Sequence, residues 1–240
     1  SGIFAPGKPG NEPLTVAQIE ELIQSFTNAA VDAQRIGFDG IEIHGAHGYL
    51  VDQFFWEGTN QRTDEWGGSM ANRSRFAVEI IKSIRAATGP DFPIVLRYSQ
   101  WKQQDYSARL AETPELLEQF LAPLSDAGVD IFHCSQRRYW EPEFDNSDLN
   151  LAGWTKKLTG KPTITVGSVG LSGDFFSAFA GKGSETRAID DLVERMDKGE
   201  FDLVAVGRAL LQDPNWANKI RQGALEELEQ YSGDALATLS

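Results

Sequence analysis

Hydrophobic and polar positions repeat one unit along this chain: an amphipathic stretch of helical period, then a short apolar run. Thr15-Val16-Ala17-Gln18 has the form of a capping box. Behind it, Ile19, Leu22, Ile23, Phe26, Ala30 and Ala33 share one face, and Gly37 stands where a helix ends. The run Phe38–Ile43 follows directly and predicts a strand. Runs at Pro93–Tyr98, Val129–Cys134, Pro162–Val166 and Phe201–Val206 predict four more. Between them, Phe76, Ile80 and Ile84 mark a helix capped by Ser69. Leu117, Phe120, Leu121 and Leu124 mark another that opens on Thr113-Pro114. Shorter helical patterns cover Leu151–Leu158 and Ile189–Met196, and residues 1–14, rich in Gly, Pro and Asn, read as a loop.

Strands that are nearly all apolar and alternate with helices predict a parallel sheet of the α/β class, covered by helices. Two excursions, Leu50–Gly68 and Gln136–Asn150, both follow strands, as active-site loops do in β/α barrels. Gly181–Arg187 has the composition of a flexible loop. Five predicted strands fall short of the eight of a closed barrel. The alternative is an open doubly wound sheet, but no Gly-x-Gly-x-x-Gly turn follows any strand to support it.

Composition narrows the function. The 240 residues suit one domain, and 41% hydrophobic with 24% charged residues is ordinary globular usage. A net charge of −13 argues against a nucleic acid or an anionic membrane as partner. No long apolar run marks a membrane span, and no signal peptide is visible. The single Cys134 cannot form an internal disulfide. A reducing, cytoplasmic setting is expected.

Each predicted strand ends in polar residues. The first delivers His44, His47 and Tyr49. The second gives Arg97, then Ser99 and Trp101. The third gives His133 and Cys134, which read as core packing near a site rim. The fourth gives Gly167-Ser168-Val169-Gly170, and the fifth Gly207-Arg208. At this face of a barrel such residues bind ligands or catalyse. The last two ends together read as an anion site. Small residues let backbone N–H groups approach, a helix start near Ser172 adds its dipole, and Arg208 adds a fork of donors. Barrel phosphate sites follow strands seven and eight. On that reading three further strands would precede the first. His44 and His47 could instead hold a metal in a barrel hydrolase, but no further ligand stands at a convincing spacing, so no metal is expected.

The block His44-Gly-Ala-His47-Gly-Tyr49, with Gln53-Phe54, Asn60-Gln-Arg62-Thr-Asp64-Glu-Trp66-Gly-Gly-Ser69 and Asn72-Arg73-Ser-Arg75-Phe76, resembles the Old Yellow Enzyme family of FMN-dependent ene-reductases. Arg97, Gly167-Ser168, Val206-Gly207-Arg208 and Asp213-Pro214-x-Trp216 fit the family in the same order. The resemblance implies a TIM (β/α)8 barrel, here an incomplete one of about five β/α units. Residues 1–240 would form a single partial domain resembling strands four to eight, without the family's first three. It implies FMN as cofactor and NADH or NADPH as hydride donor. The hydride would pass through the flavin to the C=C bond of an enone or nitroalkene. His44 and His47 would grip the oxygen of that alkene or of a phenolic ligand, and Tyr49 would supply a proton. Arg97 would face the flavin's pyrimidine edge, and Gly167, Ser168, Gly207 and Arg208 would hold its phosphate. The expected protein partner is a second copy of the chain or an N-terminal barrel fragment. The competing reading is an inert fragment, or half of a split barrel. Asn60, Arg62, Asp64, Arg73 and Arg75 read as an ion-pair network that locks their loop. The loop Arg137–Asp145, with Tyr139, Trp140 and Phe144, would either cap the substrate or fill a surface.

Overall fold

A computed structural model of the chain describes residues 5–8, 10–174 and 183–237. Five strands form one parallel sheet in chain order: β1 (Ile41–His47), β2 (Ile94–Lys102), β3 (Ile131–Ser135), β4 (Thr163–Val166) and β5 (Leu203–Val204). The helices are α1 (Val16–Arg35), α2 (Leu50–Phe55), α3 (Met70–Thr88), α4 (Pro114–Ala127), α5 (Leu151–Thr159), α6 (Asp190–Asp197), α7 (Arg208–Gln212) and α8 (Trp216–Gln222).

The capping chemistry read from the sequence sets the longer helices. Both halves of the Thr15–Gln18 box form: the Thr15 Oγ1 accepts from the Gln18 N–H at 3.2 Å, and the Gln18 Oε1 accepts from the Thr15 N–H at 2.9 Å. Ser69 caps α3 and Thr113 caps α4 with Pro114 in its first turn, as expected, and the structure adds Asn150 as the cap of α5. Gly128 and Gly160 end α4 and α5 in the left-handed conformation that a Cβ disfavours.

The sheet differs from its prediction at the ends. β1 starts at Ile41 rather than Phe38, because the Phe38 N–H still bonds to Ala33 O of the preceding helix. It then runs on to His47, so both histidines lie within the strand. β2 continues past Tyr98 to Lys102 on polar residues. β5 is short, although main-chain bonds from Asp202 to Thr163 and from Ala205 to Thr165 extend its pairing. The excursion after β1 contains the helix α2, while Gln136–Asn150 is irregular. Gly181 and Lys182 of the predicted flexible loop, and any helix directly beyond Asp174, lie outside the described residues.

Alternation along the strands separates two faces. Ile43, Leu96, Tyr98, Phe132 and Cys134 point into the helix layer, where Phe54, Phe55, Phe76 and Phe120 pack in a fully buried core. Glu42, His44, Arg97, His133 and Ser135 point to the other face. Register lines up His44 beside Arg97, and Arg97 beside His133. Glu42 and His44 are exposed there, and Leu203 is 48% exposed.

Candidate active site at the strand ends

β1 ends in a strained turn. His47 has φ +64° and Gly48 φ +82°, and the β1–β2 register breaks between Gly45 and His47. A non-glycine residue in this region costs about 1–3 kcal/mol and persists only where its surroundings fix it. Several bonds fix this one. The His47 N–H donates to Ser99 Oγ at 2.9 Å, and the Gly48 N–H to Asp52 Oδ2 at 2.6 Å. Asp52 in turn meets the Lys102 ammonium at 2.6 Å, with both side chains wholly buried. Lys102 also donates to Ser99 O at 3.0 Å. Burial pushes the Asp52 carboxyl up and the Lys102 ammonium down, and their mutual attraction opposes both shifts.

The turn gathers the three predicted groups. The His44 ring centre is 5.3 Å from that of His47 and 5.3 Å from that of Tyr49. The His47 ring stacks on Trp101 at 4.4 Å, and its Nε2 lies 2.7 Å from Ser135 Oγ. Burial, then the charges of Arg97 and His44, push the His47 pKa down to about 3, so its imidazole is neutral. His44 is shifted down by the same two leading causes, burial and Arg97. Tyr49 is 47% exposed, and its hydroxyl accepts from Gln103 Nε2 at 3.2 Å.

A cavity of about 360 Å³ opens beside this turn. Seven of the eight predicted site residues line it: His47, Tyr49, Arg97, Gly167, Ser168, Gly207 and Arg208. His44 stands at its edge, reached through the rings of His47 and Tyr49. Arg97 is partly buried, and its Nε, wholly buried, has no hydrogen-bond partner among the described residues. Arg208 donates to Gly173 O at 2.7 Å and Asp174 O at 3.1 Å, and lies over the Tyr231 ring, but pairs with no carboxylate among the described residues. Around it the chain turns sharply, with Gly167 at φ +156° and Ser168 at φ +52°. A Cβ on Gly167 would fall 2.7 Å from Gln136 O, so only glycine fits. The main-chain N–H groups of Gly167, Ser168, Gly207 and Arg208 make no hydrogen bond among the described residues. Unpaired amides, a partly buried guanidinium with a free donor and a second without an acid form a ready anion cradle.

Other residues divide differently. Trp101, Gln103, Tyr106, Ser135, Gln136 and Arg137 line the cavity, although no strand-end motif singled out most of them. Tyr139 and Phe144 are buried in the core, so the aromatic part of the Arg137–Asp145 loop fills the interior. Cys134 is fully buried, with its thiol pushed up to about 12 by burial. His133 does not merely pack: its Nδ1 meets Glu42 Oε2 at 2.7 Å. Burial pushes the Glu42 carboxyl up, but the His133 contact and Arg97 hold it below the usual range. The loop network is only partly ionic. Arg62 pairs with Asp64 at 2.5 Å and Arg75 with Glu65 at 3.1 Å, while Arg73 and Asn60 donate mainly to backbone carbonyls. Among the described residues no three His, Cys, Asp or Glu could hold a metal, and no helix is long and apolar enough to cross a membrane.

Known proteins resemble this chain in sequence and in fold. The chain is 38% identical over 231 residues to an NADH oxidase of Thermoanaerobacter brockii, covering 92% of this chain and 32% of that protein. It is 32% identical over 240 residues to a probable NADH-dependent flavin oxidoreductase, YqiG, of Bacillus subtilis, covering 95% of this chain and 58% of the relative. The fold superposes on an old yellow enzyme homologue from Zymomonas mobilis with a TM-score of 0.75 at 22% identity, over 100% of this chain and 64% of that one. The five β/α units thus match part of a TIM barrel, and the chain spans about one to two thirds of the length of these proteins. Residues 5–227 match the family described as NADH:flavin oxidoreductase / NADH oxidase, and the chain belongs to that Old Yellow Enzyme family.

Proposed function

We propose that this cavity binds FMN and serves NAD(P)H-dependent reduction of an activated C=C bond. The observation that carries the reading is the partly buried Arg97, whose buried Nε donor has no partner among the described residues. A desolvated guanidinium is costly without an anion or a strong acceptor. The unpaired amides at Gly167, Ser168, Gly207 and Arg208 suit a phosphate, so the residues present fit FMN. When bound, FMN supplies the hydride transfer; the chain supplies orientation, polarisation and a proton.

His44 makes no protein hydrogen bond among the described residues and is free to donate to a substrate oxygen. His47, neutral and stacked, joins it once its contact with Ser135 opens. Losing one such donor typically costs about 2.7–4 kcal/mol of transition-state stabilisation. Tyr49, half exposed at the mouth, holds a phenolic proton for the α-carbon. The substrate is an enone or nitroalkene, and a phenol would occupy the same donors. Names among the relatives, such as the cinnamate reductase of Clostridium sporogenes and 12-oxophytodienoate reductase 7 of rice, support the alkene class.

A second feature favours a partner in this reaction. β1 and β5 end the sheet, and its Glu42–His44 face is exposed. Natural sheets cover such edges. An N-terminal barrel fragment, or a second copy, would supply the pairing. The test is titration of FMN and of riboflavin into the purified chain, alone and with such a fragment. FMN binding that Arg208→Ala weakens more than riboflavin binding supports the reading. Absence of FMN binding in both settings refutes it.

A further inference from the structure

Among the described residues seventeen line the cavity, and three of them are arginines while none is an aspartate or glutamate. Two of the arginines are spoken for on the reading of the cavity as an FMN site: Arg97 at the flavin's pyrimidine edge and Arg208 at its phosphate. The third, Arg137, is left over. It has no ion pair or side-chain hydrogen bond among the described residues. Its neighbour Arg138 is the contrast, held by Glu141 at 2.8 Å and by Asp174 at 3.1 Å.

Arg137 is nevertheless placed firmly. The Ser168 hydroxyl donates to its carbonyl at 3.1 Å. Gln136, just before it, is tied by a bond to Thr165 Oγ1 at 2.7 Å and by the Leu151 N–H at 2.8 Å. The guanidinium lies over the Tyr106 ring at 4.7 Å. Tyr106 meets Trp101 edge-on at 5.3 Å, and Trp101 stacks on His47 at 4.4 Å. A chain of aromatic contacts therefore runs from His47 to Arg137, whose charge pulls on the Glu143 carboxyl without ion-pair contact.

Those contacts have a chemical meaning. A conjugated ligand whose carbonyl oxygen rested on His44 and His47 would pass Trp101 and Tyr106 toward Arg137, since His47, Trp101, Tyr106 and Arg137 line one cavity. Guanidinium groups pair with carboxylates through parallel N–H donors, and stacking on an aromatic ring presets the fork. We propose that Arg137 is a specificity residue that binds a carboxylate on the substrate, remote from the carbonyl that activates the alkene. The favoured substrates are aryl or extended enones that carry such an acid. This rests on the reading of the cavity as an ene-reductase site.

The test uses the full chain saturated with FMN and two probes, 4-(3-oxobut-1-enyl)benzoate and its methyl ester. Binding is measured by calorimetry at low and high salt. The carboxylate should bind at least about tenfold more tightly than the ester, and salt should erode that preference. Arg137→Gln should abolish the preference and leave ester affinity unchanged, and Arg137→Lys should restore part of it. Equal affinity of the two probes for the unsubstituted chain would overturn the inference while leaving the ene-reductase reading intact. So would a loss of both probes together in Arg137→Gln. A variant that weakens FMN, or NADPH selectively over NADH, assigns Arg137 to a cofactor phosphate and also overturns it. If the chain binds neither FMN nor either enone, the site reading and this inference fall together.

Discussion

Replacing Lys102 by Met tests what holds the histidine turn. Lys102 and Asp52 are both 0% exposed and 2.6 Å apart. Without the ammonium, the Asp52 carboxylate keeps one donor, the Gly48 N–H at 2.6 Å. Removing one member of a buried pair costs about 3–5 kcal/mol, because the remaining charge stays desolvated. Set against a total stability of about 5–15 kcal/mol, this is a large fraction. Urea unfolding followed by circular dichroism should show the midpoint fall by about 1–3 M. The pH dependence carries the sign. Burial already raises the Asp52 carboxyl, and losing Lys102 raises it further. The folded variant then binds a proton that the unfolded chain does not, so its stability falls as pH rises through that window. The deficit relative to the parent chain should be largest near pH 7 and shrink toward pH 4. Asp52→Leu together with Lys102→Met removes both charges and should cost less than Lys102→Met alone. A single-variant loss under about 1 kcal/mol, or a double variant no better than the single one, would refute the reasoning.

The remaining tests are shorter. Burial pushes the Glu143 carboxyl up to about 7, against the opposing pull of Arg109 and Gln100. The parent chain should lose about 1–3 kcal/mol as pH rises from 4.5 to 7, and Glu143→Gln should flatten that slope in urea titrations. Gly167→Ala should destabilise the chain by about 1–3 kcal/mol and weaken FMN, since its Cβ meets Gln136 O at 2.7 Å; parental values for both would remove the cradle from the argument. Tyr49→Phe should slow alkene reduction in stopped flow while flavin reduction by NAD(P)H persists, and equal loss of both half-reactions would contradict the proton role. Arg208→Ala should favour riboflavin over FMN relative to the parent chain.

The elements that can be read from sequence are those whose ends carry their own chemistry. Thr15, Ser69, Thr113 and Asn150 accept from the first turns of their helices, and the last three also lead into a buried face. α2 escapes such a reading because six residues give little period and Tyr49 makes no side-chain cap. β2 escapes it past Tyr98 because Ser99, Gln100 and Lys102 are polar yet buried. All three have partners distant in sequence: Ser99 accepts from the His47 N–H, Lys102 meets Asp52, and Gln100 meets Ala111 and Glu143. No local pattern announces such a pair. The site residues are legible for the opposite reason, since polar groups that follow an apolar strand stand out. Arg137 and Arg138 are alike in sequence, and only their partners in space tell them apart.

Charge makes the same point at the scale of the whole chain. A net charge of −13 argues against a polyanion as a surface partner. It says nothing about the sign inside a cavity, and here that sign is reversed. Among the described residues no acid lines the 360 Å³ cavity, while three arginines do, with Glu42, Asp174 and Glu143 acting on them from outside it. Like charges gathered in a partly desolvated site repel one another, and the folded chain bears that cost until an anion enters. A ligand that binds only the folded state stabilises it in proportion to the logarithm of its concentration over its Kd. FMN should therefore raise the urea midpoint, and an added carboxylate-bearing enone should raise it again. The second increment should vanish in Arg137→Gln while the first remains. The cavity's charge thus separates cofactor from substrate by stability alone, without a turnover.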